Sequence, residues 1–534
     1  MIDLQRRFAA ILALALGVSL QAPGPATGAQ GPQLFATSDL CMACHNGLTA
    51  PSGADVSIGS DWRASMMANA ARDPYWQAAV RRETLGHPAS GADIENECSI
   101  CHMPLARYEA GAAGGRFGIF ASLETAAAAA VDGVSCTACH QIENRNLGDR
   151  ASFTGRFVVA PAAAAGRKAY GPYEVDAGRR RVMQSASGFV PEQSAHIAES
   201  ELCATCHTLY THTRNARGEV IGELPEQVPY LEWKHSDYYG KQGCPSCHLP
   251  AVEGEMAIAS VLGQPRQRLA RHVFRGGNFF IPRVLNRYRD QTGAAALPKE
   301  LDAVSRLTVE RLETDAARIA IRDVRISRGI LQATVTVDNL AGHKLPTAYP
   351  SRRAWIRFAV SDAHGKTVFE SGALSPDGSV RGNDNDLDPA RYEPHYEEIG
   401  EAGEVQIYEA ILEDGEGNVT TGLLAGLRYA KDNRLLPRGF DKAGADRDIA
   451  VRGKAEGDAD FAAPGDRVRY RVDLGGAEGP YVVRAELWYQ PIGYRWAQNL
   501  AQAGAVETGT FTAFYDSMAG SSAVVLARGL ADAP

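Results

Sequence analysis

From residue 318 onward the chain alternates apolar and polar residues. The runs are RIAIRDVRI (318–326), LQATVTV (331–337), AWIRFAV (354–360), KTVFESG (366–372), VQIYEAIL (405–412), DRVRYRVDL (466–474) and YVVRAELWY (481–489). Alternation of this kind turns one row of side chains toward a core and the other toward water, while Gly, Asp and Pro between the runs supply turns. These runs predict an all-β, sandwich-like domain over 314–534. The N-terminal half shows no such alternation. There DWRASMMANAARDPYWQAAVRRE (61–83) has helical spacing, with Asp73 placed to cap and Pro74 at the first helical position. TAAAAAVDGVSC (125–136) has high helix propensity. DAVSRLTVERLE (302–313) falls in an expected linker, 291–313, after an N-terminal domain of 30–290.

The longest apolar run, FAAILALALGVSL (8–20), follows Arg6 and Arg7 and precedes the small residues PATGAQ (25–30). That order reads as a signal peptide, 1–29, cleaved near Ala29. The expected location is therefore periplasmic, extracellular or at the cell surface, with no transmembrane segment after cleavage. A net charge of −8 without long single-sign runs offers no site for nucleic acid.

The ten cysteines change the picture most. All fall into five copies of C-x-x-C-H: Cys41/Cys44/His45, Cys98/Cys101/His102, Cys136/Cys139/His140, Cys203/Cys206/His207 and Cys244/Cys247/His248. Two thiols three positions apart on one helical turn can each add to a haem vinyl group. The histidine that follows can then bind the iron as proximal ligand. Zinc sites would pair C-x-x-C units into fours without a histidine after each, and a thioredoxin-like centre would use one. The residues thus imply five covalently bound haem c groups. The motifs are too crowded in 41–248 for each to own a conventional core, so an N-terminal domain of short helices and loops packed around haem is expected.

Several stretches support a resemblance to multihaem c-type cytochromes of the cytochrome c554-like group: ELCATCHTLYTHT (201–213), PEQVPYLEWKHSDY (225–238), GCPSCHLP (243–250), DGVSCTACHQI (132–142), SFTGRF (152–157) and RHVFRGGNFF (271–280). The tail resembles a C-terminal β domain of exported multihaem cytochromes at GHKLPTAYPSRRAWI (342–356), NDNDLDPARYEPHYEEI (383–399) and YQPIGYRWAQNL (489–500). This resemblance implies electron transfer in the cell envelope between redox protein partners. Ammonia-forming nitrite reductases typically carry one CxxCK motif, and hydroxylamine oxidoreductases carry eight haems. This chain has neither feature.

Each iron would have a second axial position. Of thirteen histidines, those outside the motifs are His87, His196, His212, His235, His272, His343, His364 and His395. The distal candidates are His196 before the fourth motif, His212 after it, His272 beside the Gly276–Gly277 pair, and His343. Met67 joins them from the stretch between the first two motifs. Met66, His235, His87 and His395 stand in reserve, His364 lies in a turn, and Met103 and Met256 read as packing. Gly342 would let the His343 backbone approach a flat ring, and Arg352 and Arg353 suit haem propionates. The loop with Asn383, Asp384, Asn385, Asp386 and Asp388 offers oxygens for calcium but does not match an EF-hand. The expected function is an exported pentahaem electron carrier. The alternative is a reductase or oxidase of a small nitrogen or sulfur compound at one open-coordination haem, and a third reading is a structural module of an envelope conduit.

Overall fold

The seven alternating runs all become strands. In the computed structural model, which describes residues 33–161 and 166–534, they build two main sheets, and the end of VQIYEAIL enters a third, three-stranded sheet of Ala410–Glu413, Val419–Thr420 and Arg428–Asp432. The expected signal peptide lies outside the described residues. After a hairpin in the N-terminal half (β1 Leu209–Arg214, β2 Val220–Gln227), the strands of the two main sheets are β3 Ala317–Ser327, β4 Ile330–Asn339, β5 Arg353–Ser361, β6 Thr367–Ser371, β7 Glu398–Ile399, β8 Ile407–Tyr408, β9 Gly465–Asp473, β10 Tyr481–Gln490 and β11 Val524–Ala533. One sheet has the order β6-β5-β10-β11, with β8 also paired to β5, and the other the order β7-β9-β4-β3. Strand β4 buries every second residue from Leu331 to Val337, all fully enclosed or nearly so. Phe358 of β5 stacks on Tyr470 of β9 at 3.9 Å, so the inner faces of the two sheets interdigitate as in a sandwich. The protein is thus α plus β, as expected.

The division into halves is less sharp than the sequence suggested. The expected linker, 291–313, is largely helix: Pro298–Asp315 buries Leu301, Val304, Thr308 and Leu312. Its apolar positions recur at helical spacing, so the segment gains more by packing than by bridging. The C-terminal part is also not all β. Helices Tyr494–Ala501 and Val506–Met518 follow β10, and the second packs on the N-terminal helix Pro74–Gly86. Tyr75 meets Phe511 with ring centres 5.0 Å apart, and Arg81 pairs with Glu507 at 2.7 Å. Residues of both halves, from Tyr75 and Phe279 to Val335 and Phe511, belong to one buried cluster. Asp73 caps Pro74–Gly86 as expected, accepting from Tyr75 N at 2.8 Å. The alanine run yields only short helices, Ile119–Glu124 and Ala128–Val131, separated by Ala126 in the left-handed region (φ 46°).

A buried polar seam closes the C-terminal sheets. His395 accepts at Nδ1 from the amides of Gln406 (2.8 Å) and Asn433 (3.1 Å). Those amides are oriented by their own oxygens, which accept from Tyr396 N and Glu409 N. The imidazole proton therefore sits on Nε2 and is donated to Asp458 at 3.0 Å. Asp466 lies beside this pair and accepts from Tyr408 (2.7 Å) and Gln406 (3.1 Å). Burial raises its pKa to about 7. Between the unfolded value near 3.8 and about 7, the folded chain holds a proton that the unfolded chain has lost, so rising pH destabilises the fold in that window. Asp466→Asn is expected to gain stability on the wild type from about pH 4 to about pH 7 and to hold a constant difference above. Denaturant unfolding across pH measures this, and a difference independent of pH would remove Asp466 as the cause.

Candidate functional site

An α-helix brings residues three and four apart onto one face. The second and fourth motifs use this by forming the ends of helices Gly91–His102 and Ser200–His207. The third and fifth are single helical turns, Cys136–His140 and Cys244–His248. In the first motif helix Ser38–Met42 carries Cys41, and His45 N bonds to Cys41 O at 3.0 Å. Each pair of thiols thus shares a face with the histidine that follows. All ten cysteines are half-buried, and none forms a disulfide.

The histidines of four motifs meet the same kind of partner. His45 Nδ1 lies 2.7 Å from Ile258 O, His102 Nδ1 3.1 Å from Ala70 O, and His140 Nδ1 2.6 Å from Tyr170 O; His248 Nδ1 bonds to Arg275 O. A carbonyl only accepts, so each Nδ1 carries the proton and each Nε2 keeps its lone pair. Burial lowers the pKa of His102 and His248 to about 4 and depresses His140 and His207. These last four are therefore neutral at pH 7, as metal ligation requires.

Three histidines outside the motifs share this arrangement, His87 against Glu83 O of its own helix and two that also face a motif histidine. His272 Nδ1 lies 3.0 Å from Ala270 O, and His343 Nδ1 2.9 Å from Lys344 O. The His272 ring faces His140 with centres 6.4 Å apart and planes 19° from parallel; His343 faces His248 at 6.3 Å and 19°. Two imidazoles on opposite sides of one metal, each with a metal–nitrogen bond of about 2 Å, would have ring centres about 6 Å apart. A direct ring stack would be closer, as the 4.4 Å between Trp76 and His102 illustrates.

The other candidates separate clearly. His196 is buried, but Ser194 Oγ engages Nδ1 (2.7 Å) and Ile142 O engages Nε2 (2.8 Å), leaving no lone pair for a metal. It stands behind His140, edge-on to Tyr170. His235 holds Asp441 O through Nε2 at 3.0 Å, and His87 closes its own helix against Glu83 O at 3.3 Å. His395 is committed to the polar seam. These four are not placed as ligands. His212 is half-buried on β1, 3.6 Å from Glu97 beside the second motif, and with Met66 and Met67 it lines a large cavity. That cavity, 1260 Å³, is larger than the roughly 300–1,000 Å³ of an ordinary small-molecule site. It is walled by the cysteines and histidines of the first four motifs.

The fifth motif stands apart from the other four. The cavity reaches it only at Pro245 and Leu249, so Cys244, Cys247 and His248 do not line the common wall. The physical reason is local. The turn Cys244–His248 buries none of its residues completely, and Cys247 Sγ lies 3.8 Å from the hydroxyl of exposed Ser246. This site adjoins the cavity wall where Cys244 meets Cys203, and His248 and the facing His343 complete it. Thiol pairs, neutral imidazoles with free Nε2 atoms and an extended cavity fit covalent haem.

Side-chain contacts between motifs supply an adjacency that spacing alone does not. Cys41 interacts with Cys136, Cys101 with Cys206, and Cys203 with Cys244. The first motif thus neighbours the third, and the fourth neighbours both the second and the fifth. Cys139 lies near enough to Cys203 and Cys206 to raise their pKa, which links the third to the fourth.

Three further expectations are corrected. Arg353 is buried and bidentate to Asp386 (2.8 and 2.9 Å), so it is not free for a propionate. Arg352 lines the cavity. Asp386 is neutralised by that pair, Asp384 meets Arg391, and Asn385 Nδ2 donates to Arg391 O, so the loop does not converge its oxygens on a calcium ion. The metal-type side chains that do converge among the described residues are His395, Asp458 and Asp466, where the imidazole proton occupies the site. Finally, Gly342 admits Tyr238 and Trp233, which a Cβ would meet at 3.3 and 3.4 Å. The carbonyl partners of the histidines were invisible to sequence reading, because any residue type can supply them.

No family model matches the chain, and no curated protein matches it. Among solved structures it is similar to a penta-heme cytochrome c552 from Thermochromatium tepidum, with 16% identity over 94% of this chain and 100% of that one, and a TM-score of 0.51. At that identity the likeness is one of fold, and the chain shares the fold of that protein.

Proposed function

We propose that this chain is an exported pentahaem c-type cytochrome that passes electrons between redox proteins of the cell envelope. The observation that carries the reading is the pair of facing imidazoles, His140–His272 and His248–His343, each joining a motif histidine to one far away in sequence. The likeness in fold to a penta-heme cytochrome supports it. Haem c, when bound, supplies an iron that cycles between ferrous and ferric states. The ten cysteines would hold the five groups covalently, and His45, His102, His140, His207 and His248 would be proximal ligands. His272 and His343 would fill the sixth positions of the third and fifth sites, fixing a low-spin state that changes charge without breaking bonds. Cys–Cys contacts between motifs would make neighbours of the groups in the order first, third, fourth, with branches from the fourth to the second and fifth. The group on Cys244 and Cys247 would lie outside the shared cavity and beside exposed Ser246, where a redox partner can approach it. Arg352 would meet a propionate. The signal peptide would direct export.

A second reading, a multihaem reductase or oxidase of a small nitrogen or sulfur compound, is favoured by one observation. Among the described residues, the His45, His102 and His207 rings face no second imidazole at axial separation. Met66, Met67 and His212 line the cavity and are the side chains available to fill those positions.

Mass spectrometry of the mature protein is expected to show five haem additions and no free thiol. His272→Ala and His343→Ala should each convert one haem from low to high spin by electron paramagnetic resonance, and the double variant two. An unchanged spin count in both single variants would refute the ligand assignment. The dithionite-reduced wild type should take up little carbon monoxide; rapid stoichiometric binding at one haem would favour the reductase reading.

A further inference from the structure

Behind the His343 loop lies a group of charges that packing alone does not require. Lys344, wholly buried, places Nζ 2.7 Å from Asp432 and 3.4 Å from Ala450 O. Asp432 is gripped by Arg434 through Nε (2.8 Å) and Nη2 (2.7 Å). Arg434 reaches on to Glu232 with Nη1 at 2.9 Å. Glu232 closes the circuit on the loop: its Oε2 accepts from Lys344 N at 3.1 Å and from the Thr347 hydroxyl. Two cations and two carboxylates thus balance within the core, on three separate segments of chain.

We propose that Glu232, Lys344, Asp432 and Arg434 form the positioning device that holds His343 opposite His248. This rests on the reading of His343 as a distal ligand.

The physical argument starts from the loop itself. Residues 340–352 form no helix or strand, and a ligand on such a segment must be held to about 0.5 Å by its surroundings. Asn339 secures the near end, donating from Nδ2 to His343 O (2.8 Å) and Leu435 O (3.0 Å). Lys344 secures the far end. Because the lysine follows the histidine directly, anchoring its Nζ on Asp432 fixes the backbone that carries the imidazole and the carbonyl that Nδ1 engages.

Glu232 gives the device its direction. It belongs to helix Pro229–Lys234, whose Trp233 donates from Nε1 to Gln242 O at 2.8 Å, just before Cys244. The same charges therefore tie the ligand loop to the approach of the fifth motif, on the opposite side of the same site. Buried ion pairs often add little net stability over apolar side chains, and their best-attested use is to enforce one register among several. Here the register is that of one imidazole against another. Removing one member leaves an uncompensated buried charge, which the loop can relieve by moving toward solvent and withdrawing His343.

The test uses the full-length, haem-loaded protein with Asp432→Asn, Glu232→Gln and Thr347→Val, and with His343→Ala as control. Each quartet variant should keep five covalent haems by mass. Asp432→Asn and Glu232→Gln should each lose one low-spin haem, bind one more carbon monoxide per chain than the wild type when reduced, and regain the low-spin signal on adding imidazole. Thr347→Val, which removes a single hydrogen bond at the edge of the circuit, should show the same change in a fraction of molecules and remains informative if the charge variants fail to accumulate. A wild-type spin count and carbon monoxide stoichiometry in the folded quartet variants, with one haem converted by His343→Ala, overturns the positioning role alone. An unchanged count in His343→Ala overturns the ligand reading beneath it.

Discussion

A buried imidazole that donates its Nδ1 proton to a backbone carbonyl can offer only Nε2 to whatever lies in front of it. Besides His87, which bonds within its own helix, six histidines are held in that way, four within C-x-x-C-H motifs and two, His272 and His343, far from the motif histidine they face. The bond fixes the tautomer and aims the ring, and burial lowers the pKa of His102, His140, His248, His272 and His343. Much of the N-terminal half can be understood as the support for these carbonyls. Ile258, Ala70, Tyr170 and Arg275 supply them, and most of these come from irregular segments, which have carbonyls to spare because no ladder consumes them.

The same bond explains why the C-terminal sandwich is not an appendage. His343 leaves the end of β4 and faces His248 across the boundary between halves. Helix Val506–Met518 returns to pack on Pro74–Gly86, and the shared core leaves little freedom for one half to shift against the other. A ligand contributed across such a boundary needs that rigidity, because an imidazole displaced by an ångström no longer reaches its metal. In the proposed reading, the sandwich is the frame for one axial ligand.

Several residues that looked equivalent in sequence part company in space. His196 and His272 both sit near haem motifs, yet His196 spends both nitrogens on Ser194 and Ile142 while His272 keeps Nε2 free. The five pentads are alike on paper, but Cys244 and Cys247 stand apart from the cavity that the other eight cysteines wall. Arg352 and Arg353 are neighbours, but Arg353 opens strand β5 and enters the core to meet Asp386, while Arg352 ends the preceding loop at the cavity. The acidic loop that suggested calcium is instead occupied by arginines. In most of these cases a decisive partner lies tens of residues away or belongs to the backbone, as Asp386 does for Arg353 and Ile142 O for His196.

What the sequence by itself determined is what short-range geometry controls. Cysteines three apart and a histidine next in line share one helical turn, so the common face of two thiols and an imidazole was legible from five pentads. Period-two alternation commits a segment to a half-buried strand, and the seven alternating runs were found where the pattern put them. Only the tertiary structure decided which imidazole faces which, which motifs adjoin, and which charges stand behind His343. Those outcomes depend on contacts between residues such as Glu232, Lys344 and Asp432, distant along the chain and drawn together by the burial of surfaces common to both halves. No local pattern encodes such a meeting, because the free energy that enforces it belongs to the packed core as a whole.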